Sequence, residues 1–533
     1  MTASPAPAIT LTSLAFAWPD GTPVLQGLSS TLGEGRTGLI GDNGAGKTTL
    51  LRLIAGELHP TTGTVTVTGT VGHLPQHVAL RAGTTVAELL GVRSAYTALR
   101  AIGGGDTDPA LFDAVGEDWD VEARGLAALA RRGLRGIGLD RTVGTLSGGE
   151  AVLVALAGME LAGDRIVLCD EPTNNLDRRG RHQLYDAISA WSGTLVVVSH
   201  DVELLELMDA TAELHDGELT VFGGPYSGHL AHLAAEQASV EQDLRSAEQR
   251  LRTERRRRAE AQTKLARRRR YARSDFENRR RPKMIMKTRG QEAQVSAGKL
   301  RGRHDDAVAS AQQAVAAREG QLREDRRITI PLPDPDVPAG RRLAELRDAR
   351  GRGIVLQGPQ RIALTGRNGI GKTRLLQQLI DRPAEDGVRA RASTGRIGVL
   401  PQRLDHLTEE QTILDCVQEA APAVPDGELR SLLAHFRCRG DAVERRIGGL
   451  SGGERFRVAL ARLVLADPIP QLIVLDEPTN NLDLASIDAL VDVLSAFHGG
   501  LLVVSHDEAF LERLEIDAQL LLDEDGLHPD DGL

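Results

Sequence analysis

Gly41-Asp42-Asn43-Gly44-Ala45-Gly46-Lys47-Thr48 lies between an apolar run, Thr37 to Ile40, and a stretch with helical periodicity. A strand before this spacing and a helix after it make the loop a phosphate cradle rather than an ordinary turn. Its glycines let backbone N–H groups close around phosphate oxygens, and the helix N-terminus adds a favourable dipole. In such a loop Lys47 neutralises the β- and γ-phosphates and Thr48 holds Mg2+. The same octet returns, after the apolar run Ile362 to Thr365, as Gly366-Arg367-Asn368-Gly369-Ile370-Gly371-Lys372-Thr373. All residues of both loops, with Thr49 and Arg374 just beyond them, are candidate ATP contacts.

The repetition extends through three more segments in the same order. Leu146-Ser147-Gly148-Gly149-Glu150 returns as Leu450-Ser451-Gly452-Gly453-Glu454, and Ser199-His200-Asp201 as Ser505-His506-Asp507. Asp170-Glu171-Pro172-Thr173-Asn174-Asn175-Leu176-Asp177 returns as Asp476-Glu477-Pro478-Thr479-Asn480-Asn481-Leu482-Asp483. Ile166 to Cys169 and Leu472 to Leu475 read as buried parallel strands ending in Asp170 and Asp476. A carboxylate there can hold the magnesium, and the adjacent Glu171 and Glu477 are placed to polarise an attacking water. The offset between copies is 325 from Lys47 to Lys372 and 326 from Gln76 to Gln402, but only 304 from Leu146 to Leu450. About 22 extra residues therefore lie in the first copy, within the stretch at about 91–120.

A chain of 533 residues allows roughly two to four domains. The reading divides it into a first α/β domain at 1–230, a helical linker at 231–327 and a second α/β domain at 328–533. The net charge of −10 conceals a split: residues 236–327 hold 26 Lys+Arg against 14 Asp+Glu, a balance of +12, leaving −22 elsewhere. That argues for one polyanion-facing element between two acidic bodies. The linker is rich in Ala, Glu, Gln and Arg, good helix formers, and breaks around Tyr271 to Gly290. It reads as two long helices in an antiparallel hairpin, each arm roughly 65 Å long at 1.5 Å per residue. The three cysteines show no ligand spacing and suit a reducing cytoplasm. No apolar run approaches the roughly 18 residues of a membrane span, and Met1 to Ala8 lacks the features of a secretion signal.

A glycine-rich loop paired with an LSGG segment resembles the ABC ATPases. Two cassettes in one chain, EPTN segments and a charged helical linker are similar to the ABC-F family of ribosome-associated translation factors. The resemblance implies two ABC-type cassettes that close head to tail within a monomer and sandwich two ATP molecules. One site would combine Lys47, Gln76, Asp170, Glu171 and His200 with the opposing Ser451, Gly452 and Gly453. The other would combine Lys372, Gln402, Asp476, Glu477 and His506 with Ser147, Gly148 and Gly149. Gln76 and Gln402 match the residues that sense magnesium and water, alongside Thr48, Thr373, Asp170 and Asp476 as metal ligands. The two histidines match the switch residue at the γ-phosphate, Trp18 matches the aromatic that stacks on adenine, and Asp177 and Asp483 match the D-loop.

The resemblance further implies that the linker enters the ribosome and reaches toward tRNA and the peptidyl-transferase centre, with Arg268, Arg269, Arg280, Lys283 and Lys287 as candidate RNA contacts. Within that class, protection of the ribosome against antibiotics competes with rescue or regulation of stalled translation. The rival from another class is the ATPase subunit of an antibiotic exporter. The family usually has His where Asn175 and Asn481 stand. No aromatic precedes the second loop between Ile328 and Thr365, and the first signature continues Ala151-Val152-Leu153 where the second has Arg455-Phe456-Arg457. These two departures coincide in the site of Lys372 and Ser147, which should bind ATP less tightly. Glu171→Gln and Glu477→Gln should therefore change single-turnover hydrolysis to different extents, and equal effects would refute the asymmetry.

Overall fold

The computed structural model describes residues 7–76, 83–277, 303, 305–318, 332–380, 388–400 and 407–530, apart from Asn175, Ala349 and Asn481. Two compact units divide the chain: Met1–Tyr226 together with Arg326–Leu533, and Ser227–Asp325. The first unit holds both α/β cassettes. Each is built on a six-stranded sheet with a three-stranded antiparallel sheet beside it.

In the first cassette the large sheet runs Val71–Leu74, Ile166–Asp170, Thr194–Val198, Arg36–Ile40, Ala210–His215, Glu218–Phe222. The first five strands are parallel and the last pairs antiparallel. Every residue of Ile166–Asp170 and Thr194–Val198 is buried, as expected where both faces of a parallel sheet are covered. The second cassette repeats the order with Ile397–Leu400, Leu472–Asp476, Gly500–Val504, Arg361–Thr365, Ala518–Asp523 and Gly526–Pro529. The register sets Asp170 opposite Val198 and Asp476 opposite Val504. The acids therefore stand at the carboxyl ends of central strands, where ligands of open α/β sheets bind.

The extra residues of the first cassette form the helices Arg93–Gly103 and Pro109–Val115, whose Ala95, Tyr96, Ala98 and Val115 are buried. Tyr96 donates its hydroxyl proton to Asp140 at 2.8 Å. The apolar spacing of this stretch thus serves a local core shared with Val121, Leu129 and Leu153. Phe112 and Trp119 stay on its surface with ring centroids 6.0 Å apart.

The other unit holds all but the first residue of Tyr226–Glu277, one helix of 52 residues, roughly 78 Å long at 1.5 Å per residue. The helix runs through Tyr271, where the sequence suggests a break, because no glycine or proline occurs between Gly228 in its first turn and Pro282. Residues 305–318 form a second helical stretch. Arg258 pairs with Asp305 at 2.8 Å and Arg318 with Asp243 at 3.5 Å. Partners that descend on one segment as they rise on the other make the two antiparallel. Arg268 and Arg269 lie on the long helix, while Arg280, Lys283 and Lys287 fall outside the described residues.

The helical part of the second cassette closes over Phe436, fully buried among Leu429, Leu433 and Phe456. Phe436→Ala should lower the stability of that cassette by about 3–5 kcal/mol, the range for emptying a buried aromatic site. A reduced urea midpoint for unfolding of the second cassette would register the loss.

Candidate nucleotide-binding sites

Both glycine-rich loops bend where only glycine fits. Gly41 has φ +152° and Gly366 φ +142°, and a Cβ at either would run into a carbonyl oxygen, of Leu214 or Leu522. The helices that follow, Lys47–Ile54 and Lys372–Ile380, start at the lysines. Lys47 donates to the carbonyls of Gly41 (2.6 Å) and Asp42 (3.1 Å). Lys372 donates to Gly366 O (2.6 Å) and to His506 Nε2 (2.8 Å). Thr48, Thr373 and Arg374 are exposed in the first turns, whereas Thr49 is buried in its helix. Trp18 is 38% exposed, its ring edge-on to Phe16 at 5.1 Å.

Beside each loop a glutamate follows the strand aspartate. Glu171 and Glu477 have φ of +50° and +45°, a left-handed conformation that costs free energy outside glycine and clusters at functional sites. Their N–H groups donate to Val198 O and Val504 O at 2.9 and 2.8 Å, which holds the bend. His200 Nε2 lies 3.2 Å from Glu171 Oε1, and His506 Nε2 lies 3.3 Å from Glu477 Oε1. Burial pushes the Glu171 carboxyl up to about 8 against the pull of Lys47. Burial raises Glu477 too, with Lys372 and then Arg181 opposing it. Burial and the neighbouring lysine bring His200 and His506 down to about 3, so both are neutral at ordinary pH. Burial also lowers both lysines.

Ser147 and Ser451 head the helices Gly148–Ala162 and Gly452–Val464. Each Oγ accepts a backbone N–H from Glu150 or Glu454, at 3.2 and 3.3 Å. Each glutamate carboxylate accepts the serine N–H in return, at 2.8 and 2.9 Å. This reciprocal capping box explains the glutamate that ends both signature segments, and S-x-x-E before an apolar run is its sequence signal. Gly149 is needed for packing: a Cβ there would stand 2.9 Å from Gly180 Cα. Arg455 bonds Gly448 O at 3.0 Å and Glu409 at 3.4 Å, within its own cassette.

The cassettes meet at these sites. Asp483 caps its own helix through Ser486 N and also accepts the N–H of Asn43, both at 2.8 Å. On the opposite side, a cleft of about 930 Å³ is lined by Gly366, Arg367 and His506 from the second cassette and by Ser147, Glu150 and Asp177 from the first. Lys372, Glu477 and His506 are thus gathered with the first signature, and Lys47, Glu171 and His200 with the second D-loop. Gln76 ends the described part of its loop and is exposed; Gln402 lies outside the described residues, as do Asn175 and Asn481.

The residues suit ATP and magnesium. Ser, Thr and Gly offer hydroxyl and N–H donors to phosphates, and Thr48, Gln76 and Asp170 offer the oxygen ligands that Mg2+ prefers. Among the described residues no three His, Cys, Asp or Glu side chains could hold a metal by themselves.

A family model described as "ABC transporter" matches residues 25–174 and 354–480. The chain is 34% identical to the tylosin resistance ATP-binding protein TlrC of Streptomyces fradiae, over 93% of this chain and 94% of that one. It is 30% identical to the putative ATP-binding protein YdiF of Bacillus subtilis (strain 168), over 90% of this chain and 74% of the other. Among solved structures, the archaeal ribosome recycling factor aABCE1, in complex with the ribosomal stalk protein aP1, shares the fold. Its TM-score is 0.53 at 18% identity, covering 96% of this chain and 87% of that one.

Glu171 carries a stability signature. Its folded pKa of about 8 exceeds the ordinary 4.5, so between these values the folded state binds the extra proton and stability falls as pH rises. Glu171→Gln cannot ionise, so in nucleotide-free protein it should raise the thermal midpoint above wild type at pH of about 9. The advantage should shrink toward pH of about 5; a pH-independent difference in calorimetry would contradict the burial of this charge.

Proposed function

The chain belongs to the ABC transporter family and is an ATPase, and from that premise we propose that it is a cytoplasmic, ribosome-binding translation factor of the ABC-F branch, working as a monomer and protecting the ribosome against antibiotics. The observation that carries this reading is the likeness over nearly the whole chain to a tylosin resistance protein. Two further features support it: the long arginine-rich helix, and the fold shared with an archaeal ribosome recycling factor. Among the described residues no helix is long and apolar enough to cross a membrane.

In this reading each ATP is held by one cassette's loop lysine and the other's signature serine. Glu171 or Glu477, set by its left-handed bend and its histidine neighbour, orients the attacking water. Thr48, Gln76 and Asp170, or Thr373, Gln402 and Asp476, would hold Mg2+, which would neutralise charge on the phosphates. The signature capping box leaves the serine proton free to donate to phosphate while Oγ accepts from its own helix. ATP binding favours the closed pair of cassettes, and hydrolysis removes that preference.

The linker supplies the RNA-facing charge and reaches toward the peptidyl-transferase centre. Several of its arginines are neutralised locally, as Arg257 is by Glu254 at 2.6 Å and Arg245 by Glu241 at 3.1 Å. Arg255, Arg267 and Arg270 are exposed and have no acidic partner among the described residues. Phosphate is the natural counter-charge for such a surface.

The doubly substituted Glu171→Gln, Glu477→Gln chain should bind ATP without turning it over and accumulate on ribosomes. Co-sedimentation with 70S particles should rise at least about tenfold over the ATP-free protein at low salt and weaken as salt is raised. Recovery with membranes instead of ribosomes would favour an exporter subunit.

A further inference from the structure

The cassettes repeat each other, yet the contacts that flank the two ATP sites are chemically different. Arg178 and Leu484 occupy equivalent positions, each following its D-loop aspartate, and Val202 and Glu508 are equivalent too, each following the Asp of Ser-His-Asp. Beside the Lys47 site, Leu484 is 8% exposed and packs with Ile40, Leu205, Tyr226 and the partly buried Val202 of the first cassette. At the equivalent point beside the Lys372 site, Arg178 forms an ion pair with Glu508, and His182 Nε2 stands 3.8 Å from the same carboxylate.

The ionic contact has a buried base. Arg181, three residues along the same helix, bonds Asp201 at 3.1 Å, and Tyr185 donates to that carboxylate at 2.7 Å. Ile487 and Val491 stand at the equivalent places in the second cassette. Asp201 caps the helix that follows His200 through Leu204 N at 3.1 Å. Arg178 therefore projects from an anchored helix start, directly after Asp177 in the cleft that holds Gly366 and His506. The Arg178 and Glu508 side chains remain 38% and 25% exposed, so dissolved ions reach the pair. They do not reach Leu484 in its apolar pocket.

We propose that Arg178 and Glu508 form an electrostatic latch that positions the Asp177 turn at the Lys372 site, whereas the Lys47 site is held by the apolar Leu484 contact, so that ionic strength weakens closure of one site selectively. Both are positioning residues that act through the Asp177 turn. The proposal rests on the assignment of Lys372 with Ser147 to one composite site.

The test uses the full chain without ribosomes. Glu171→Gln leaves the Lys372 site as the hydrolysing one, and Glu477→Gln leaves the Lys47 site. Raising KCl from about 0.05 M to about 0.5 M should slow single-turnover hydrolysis about fivefold at the Lys372 site and less than about twofold at the Lys47 site. Arg178→Leu with Glu508→Val copies the apolar contact, and should flatten the salt response of the Lys372 site. Should that pair fold poorly, the exchanged pair Arg178→Glu with Glu508→Arg keeps both charges. It should restore the rate lost in either single variant. Equal salt responses at the two sites, or a response that survives the apolar pair, would overturn the latch. Ser147→Arg on the Glu171→Gln background checks the composite site itself. A loss of hydrolysis there supports the pairing, and unchanged hydrolysis would overturn the site assignment together with the latch.

Discussion

The carboxylate of Asp483 serves two backbones at once, its own helix start at Ser486 and the loop of the opposite cassette at Asn43. Burial raises the cost of its charge, and the hydrogen bonds from Ser486 and Asn43 more than offset that, keeping its pKa below the ordinary value. One cassette's D-loop thus supplies an acceptor to the other's phosphate loop. A buried ionised carboxylate deprived of one donor costs more than the bond itself, so the second D-loop and the first loop are constrained to move together. The interface and the first ATP site are one piece of structure.

The same economy explains the placement of Glu171 and Glu477. A left-handed backbone and a buried carboxyl are each unfavourable, and together they cost several kcal/mol in order of magnitude. The central strands and their neighbours bear that cost: Val198 and Val504 accept the bent N–H groups, and the loop lysines oppose the desolvation. A strained carboxylate in so dry a place is poorly suited to structure alone and well suited to meeting water and a phosphoryl group whose charges change during reaction.

What could be read from the sequence was whatever is local. Loop, signature, strand-end acids and switch histidines lie within short segments whose spacing is dictated by one turn of backbone, and their order implied the paired α/β folds. The cross-cassette chemistry was hidden. Arg178 and Glu508 are 330 residues apart, and only the docked pair reveals that this arginine meets a glutamate of the other cassette where its twin Leu484 meets an apolar pocket. Length alone could show that extra residues lie near 91–120, not that they fold as two short helices packed through Tyr96 and Val115. Nor does the signature reveal that Arg455 bonds Gly448 and Glu409 inside its own cassette.

Charge distribution makes the last step. Outside residues 236–327 the chain carries −22, and within them +12. Phosphate polymers are repelled by the first and drawn to the second over distances of about 10 Å at moderate salt. On the proposed reading, that split confines RNA contact to the linker and leaves the cassettes to their own small anion, ATP, which they capture with two lysines and directed N–H groups rather than with net charge. A uniformly basic protein would bind RNA whatever the state of its nucleotide. On that same reading, acidic cassettes and a basic linker let RNA binding depend on closure, and closure on the contacts between D-loops and phosphate loops.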